Sequence, residues 1–302
     1  MKKRSVVCCL GGLCVALLWP MTVALAGAPT PEATVSAVAD GTPNLGTATI
    51  QQQDARWFVE GRIYDVNSDT QQWYDNSTLS IGFAAPINEE TEFDLMVSML
   101  SNAGADPIAD SIRMSDRNVL APYIKRCFSK DGNSTLSFTI GADVALNQAK
   151  GSADGFAAYQ NDFTPAAKLQ LEWGAPGCVQ WQLAAQVAFW DTWATADIGG
   201  AIPGFGTVVA LGGGLSVPMG EKLTLVGDIM GIANGKNVVN SDTGEVDTQL
   251  IWAAGGNWAF GGPYTTTLKV FATNAMGPTP ATSIIGAPGN SVGFGLALLR
   301  EF

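Results

Sequence analysis

Ten charged residues, Arg56, Glu60, Arg62, Glu92, Asp94, Asp143, Lys168, Glu172, Asp228 and Lys269, fall on one parity of a pattern that alternates with apolar residues, and Lys222 joins them. Glu92 and Asp94 are two positions apart, a spacing that puts both carboxylates on one face of a strand, as paired acid–base work would need. The chain has no histidine. Histidine is the usual base near neutral pH, so neither a Ser–His nor a His–metal constellation can be built. The eleven groups divide into five bases and six acids. A set so close to neutral reads as the lining of a polar passage, or as an ion-paired network that plugs a narrow one. No catalytic residue is assigned and no enzymatic activity is expected.

Other chemistry is weakly represented. Gly212, Gly213 and Gly214 lie inside a strand pattern, where small residues allow a bend or close packing rather than a phosphate cradle. The acids from Asp242 to Asp247 lack the full spacing of a calcium loop, so no metal and no cofactor are expected. Cys127 and Cys178 are the cysteines left once the first 26 residues are set aside, an even pair that could form a disulfide or remain two thiols. The formal net charge is −11, and loss of Lys2, Lys3 and Arg4 with a leader takes it to −14, which argues against nucleic acid as a partner.

The elements that carry these groups are strands. Leu79, Ile81, Phe83, Ala85 and Ile87 alternate with Thr78, Ser80 and Gly82, and Leu136, Phe138, Ile140 and Ala142 alternate with Ser137, Thr139 and Asp143. A period of two is the mark of a strand with one apolar face. Twelve such segments run from about residue 55 to the last one. Their connections alternate between long and short, as an up-and-down barrel with both termini at one rim demands. The register near Pro122 is the least legible. Trp57, Trp173, Trp181, Trp252, Trp258 and Tyr264 sit on the apolar parity near strand ends, where interfacial aromatic girdles would lie.

The chain starts with Lys2-Lys3-Arg4, an apolar run from Val6 to Leu18 and Ala24-Leu25-Ala26, the layout of a secretory signal with its cleavage site. The expected organisation is therefore a signal peptide at 1–26, a lead-in at 27–54 that is either periplasmic or tucked into a barrel mouth, and a barrel at 55–302. The long connections are acidic, with Asp65, Asp69, Asp106, Asp110, Asp242 and Asp247 among them. Such a ring could bias passage toward cations or simply keep the loops solvated.

The final strand, Ser291 to Phe302, carries Val292, Phe294, Leu296, Leu298 and Phe302 on one parity, with Arg300 breaking the series. It resembles the closing strand of bacterial outer-membrane β-barrels, which end on a phenylalanine preceded by alternating apolar residues. Arg300 departs from that pattern, although an arginine near a membrane edge can snorkel to headgroups. The resemblance is to the porin-like class as a whole and singles out no subfamily. It implies an all-β fold, a transmembrane antiparallel up-and-down barrel of about twelve strands in the bacterial outer membrane. It further implies that Phe294, Leu296, Leu298 and Phe302 act as an insertion signal for the barrel-assembly machinery, with membrane lipid and lipopolysaccharide as further partners. The oligomeric state stays open. Outer-membrane enzymes of the phospholipase, omptin and acyl-transfer families use histidine, so the expected function is a channel for small polar or cationic solutes. A structural or surface-interaction barrel with a closed lumen is the alternative.

Overall fold

The computed structural model describes residues 41–50, 55–64, 76–102, 117–131, 133–148, 159, 161–175, 178–196, 200–240, 245–260, 266–287 and 291–301. The signal peptide, most of the lead-in, Tyr264 and Phe302 lie outside the described residues. Twelve long strands carry the alternating pattern. They are β1 (Arg56–Tyr64), β2 (Asn76–Asn88), β3 (Thr91–Asn102), β4 (Arg117–Asp131), β5 (Ser134–Gln148), β6 (Phe163–Trp173), β7 (Gln180–Phe189), β10 (Thr207–Pro218), β11 (Leu223–Asn234), β14 (Ile251–Phe260), β15 (Thr266–Thr273) and β16 (Gly293–Glu301). They form one closed antiparallel barrel in chain order, sealed by β16 against β1 from Arg56↔Glu301 to Tyr64↔Gly293. Closure leaves no unpaired strand edge, which the hydrocarbon of a membrane would not tolerate.

The connections sort as the sequence pattern predicts. Short turns join β2–β3, β4–β5, β6–β7, β10–β11 and β14–β15, and the long connections gather at the opposite rim. Two of the long ones carry small hairpins of their own, β8 (Trp193–Ala196) with β9 (Gly200–Pro203) and β12 (Val238–Val239) with β13 (Val246–Asp247). Pro122 is accommodated within β4 opposite Leu95, and the register of β4 against β5 shifts at Asn118/Val119 and at Cys127/Ser129.

Side chains divide by parity. Ile81, Phe83, Ile140, Leu169, Leu211, Ile229 and Val270 stand exposed on the outer face, a band of apolar surface that water would not favour and lipid would cover. Trp57, Trp173, Trp181 and Trp258 all lie toward the short-turn ends of their strands, and Trp173 pairs with Trp181 across the β6–β7 contact. Arg300 sits on the outer parity opposite Trp57 and Thr266, and Arg126, also outward, lies 3.5 Å from Glu90 at the short-turn rim. The inner face is polar, with Thr78, Ser80, Ser137, Thr164, Gln170, Gln182, Ser216, Thr224 and Asn257 buried there.

Inward aromatics lie flat over glycines of neighbouring strands. A Cβ on Gly82 would stand 2.1 Å from the Phe58 ring, and one on Gly295 would stand 2.2 Å from the Phe271 ring. The missing side chains are what let these rings lie against the wall. Replacing Gly295 with valine forces Phe271 off the wall, with an expected cost of about 1–3 kcal/mol. Heat-modifiable gel mobility across a urea series should show the variant unfolding at lower denaturant than the parent.

Candidate functional site: a lumen entered from both rims

The interior of the barrel holds two segments of the chain itself. Residues 41–50 precede β1, yet Leu45, Ala48 and Ile50 are buried inside the barrel. These ten residues are thus lumenal rather than periplasmic. The segment turns tightly at Thr42-Pro43-Asn44-Leu45-Gly46, with Gly46 N donating to Thr42 O at 2.9 Å. Gly41 has φ +62°, and a Cβ there would collide with Gly46 O, so glycine is required.

The wall meets this segment's polar atoms one by one. Asp228 accepts from Asn44 N and from Asn44 Nδ2, each at 2.9 Å. Glu172 accepts from Ala48 N at 2.9 Å and from Thr47 Oγ1 at 3.0 Å. Lys168 Nζ donates to Leu45 O at 2.5 Å, Gln182 Nε2 to Gly46 O at 3.0 Å, and Asn257 Nδ2 to Gly41 O at 3.2 Å. Lys125 Nζ lies 3.4 Å from Thr49 O, and Cys127 Sγ 3.4 Å from Ala48 O. Wall acids cap N–H groups and wall bases cap carbonyls, so an irregular backbone is satisfied where water is scarce.

The second segment is the β15–β16 connection, which folds back into the barrel from the long-loop rim over residues 274–287. It holds itself together through Met276 N to Ile285 O and Ala287 N to Asn274 O, each 2.8 Å. Asp143 anchors it, accepting from Thr279 Oγ1 and Tyr123 Oη at 2.8 Å each, and Gln186 donates to Pro280 O and to Ser283 Oγ. Apolar packing covers it. Met276, Ile284, Ile285, Val239, Ile251 and Tyr159 share one buried cluster with Trp190 and Phe205, whose rings meet edge-on at 5.6 Å. Tyr159 reaches Gly286 O at 2.9 Å, and burial holds its hydroxyl above the ordinary range, keeping it a donor.

Arg62 ties the two insertions together. Its Nη1 donates to Asn44 Oδ1 at 3.3 Å and to Ala275 O at 3.0 Å, and its Nε to Glu60 at 2.6 Å. Its guanidinium also lies over the Phe271 ring at 5.4 Å. Near the short-turn rim, Glu92 takes Arg56 at 2.9 Å and Lys125 at 2.5 Å. Between segment 41–50, the β1–β6 wall and residues 278–283 remains a cavity of about 180 Å³, bordered by Arg56, Glu60, Asp94, Lys125, Lys168 and Lys269.

The ten lumen candidates, Arg56, Glu60, Arg62, Glu92, Asp94, Asp143, Lys168, Glu172, Asp228 and Lys269, all face inward in this arrangement. Lys222 does not, since it is exposed in the β10–β11 turn. The disulfide is absent. Cys127 points into the lumen from β4, whereas Cys178 is exposed in the β6–β7 turn, with β5 and β6 between them. Lys125 escaped the sequence reading because Pro122 obscured the parity of β4; the available signal was its place on the parity opposite Leu120 and Ile124. Asn44 and Thr47 escaped because a turn sequence carries no mark of where it docks.

No protein-family model and no curated protein matches the sequence. Among solved structures, the chain is similar to an outer membrane channel from Pseudomonas putida F1 at 8% identity, over 84% of this chain and 97% of that one, with a TM-score of 0.56. It is also similar to the NanC porin at 7% identity, over 80% and 98%, with a TM-score of 0.50. The chain thus has the fold of bacterial outer-membrane barrels and is porin-like in architecture.

Two outcomes follow from this packing. Arg62→Ala leaves Glu60 buried without its cation and should cost about 3–5 kcal/mol, read by urea unfolding in detergent. A membrane-impermeant maleimide should label Cys178 in the folded protein but not Cys127, and deletion of 41–50 should expose Cys127 to the same reagent. Equal labelling of Cys127 with and without the segment would remove that segment from the lumen.

Proposed function

We propose that the protein is an outer-membrane channel for small polar solutes, kept narrow by its own inserted segments. The observation that carries this reading is the way segment 41–50 is held. Its contacts with the wall are mostly hydrogen bonds between side chains and backbone, each of a kind that water can replace. Each is worth about 0.5–1.5 kcal/mol net between neutral groups, and about 1.5–3 where Asp228, Glu172, Lys168, Lys125 or Arg62 takes part. A barrel that needed its lumen only as packing would fill it with interlocked side chains, as small barrels do. Here a polar wall of the kind that suits a water-filled lumen faces a removable stretch of chain. The likeness to a channel and a porin, in fold, is consistent with this role.

The preference for cations suggested by the acidic loops finds no counterpart inside. The cavity borders four bases and two acids, while most of the loop acids lie outside the described residues. A closed lumen is the competing reading, favoured by the apolar cluster around Trp190 and Ile284 at the long-loop rim. Export with removal of 1–26, recognition of Phe294, Leu296, Leu298 and Phe302 by the assembly machinery, and contact with lipopolysaccharide belong to the same proposal.

Planar-bilayer recording separates the two readings. The folded full-length protein should give small or infrequent current steps, and deletion of 41–50 should raise both step size and open time. Silence from both, with gel mobility showing intact barrels, would establish the closed structural barrel instead.

A further inference from the structure

Of the six inward acids, five are already engaged. Glu60 is paired with Arg62, Glu92 with Arg56 and Lys125, while Asp143, Glu172 and Asp228 accept from hydroxyl, amide or backbone donors of the inserted segments and their surroundings. The bases are engaged less evenly. Lys168 is partly buried, and the contact given to its ammonium is a neutral carbonyl, Leu45 O. Among the described residues no carboxylate lies within 4.0 Å of it. Asp94, Asp228 and Glu172 act on it only from beyond contact distance. An ammonium removed from bulk water without a carboxylate in contact is costly, and it has two N–H donors still to place. It borders the 180 Å³ cavity together with Lys125, Lys269 and Arg56. On the same cavity, Asp94 presents a buried Oδ1 with no hydrogen-bond partner among the described residues.

We propose that this cavity is a binding site for a small anion, seated on Lys168 within the basic wall and carrying a hydroxyl or amine hydrogen for Asp94. The volume equals the space of about six water molecules, which admits a carboxylate or phosphate of a few heavy atoms but not a long chain. The inserted segment builds part of the site, since residues 42–47 line the cavity and Leu45 O fixes the lysine's direction. The anion would supply the contact ion pair that Lys168 lacks, in a cavity where four bases face two acids. This inference rests on the reading of the lumen as a solute path and names the charge of the solute that path selects.

Binding and conduction are tested apart. In detergent, inorganic phosphate and glycolate should each raise the temperature at which the folded gel band is lost, relative to chloride at equal ionic strength. The rise should vanish in Lys168→Gln and persist in Lys222→Gln, whose lysine is exposed on a turn. In bilayers under a potassium chloride gradient, the reversal potential should report anion preference, and Lys168→Gln should reduce the chloride-to-potassium permeability ratio severalfold. A phosphate or glycolate effect that survives Lys168→Gln overturns the site. So does a wild-type protein that conducts with no preference for anions. A phosphate effect without current steps upholds the site and overturns the channel. Should Lys168→Gln fail to give a folded band, Lys168→Arg supplies the comparison, since it keeps the charge and should keep the effect.

Discussion

An irregular stretch of backbone inside a membrane barrel is tolerated only if every N–H and C=O finds a partner, and this requirement shapes the whole interior. Arg62 is where it is met most densely. One side chain reaches Asn44 from the segment that enters at the short-turn rim, Ala275 from the loop that enters at the other, and Glu60 from its own strand. With Phe271 beneath it and Gly295 beneath Phe271, the guanidinium is held against the wall by a stack that runs through β1, β15 and β16. The seam that closes the barrel is therefore also the place where its two insertions meet. Closure and occlusion thus share residues.

The barrel was legible because a membrane wall imposes a strict period. One face must be apolar along each strand, so Leu79 to Ile87 or Leu136 to Val144 can be read without knowing what they pair with. The sorting of long and short connections followed from the same geometry. The contents of the lumen were not legible, and the reason is physical. Asn44, Thr47 and Met276 sit in segments without period, and their positions depend on partners 100 to 200 residues away, such as Asp228 for Asn44. The choice between a disulfide and two thiols was open on the same ground, because a count of two cysteines says nothing about whether one faces a lumen and the other a turn. Asp143 and Glu172 were readable as inward acids, but their use as anchors for backbone and hydroxyl groups was not.

The two insertions are held by different forces, and this decides which one yields. The β15–β16 loop buries Met276, Ile284 and Ile285 against Val239, Ile251 and the Trp190–Phe205 pair. Removing one such side chain from its apolar surroundings costs about 1.5–3 kcal/mol, so the loop as a whole is a fixed part of the fold. Segment 41–50 buries Leu45 and Ile50, but otherwise trades hydrogen bonds with a wall that water could serve equally well. Its hold is thus mainly polar, where that of the outer loop is mainly apolar. In the proposed channel, this difference in grip places the opening at the short-turn rim, where the chain enters, and makes the outer loop the constriction. Withdrawal of 41–50 in that channel would uncover Asp228 and Glu172, the acids that cap its N–H groups. The same withdrawal frees Lys168 from Leu45 O and Lys125 from Thr49 O, so acids and bases are uncovered together and the bases round the cavity keep their majority there.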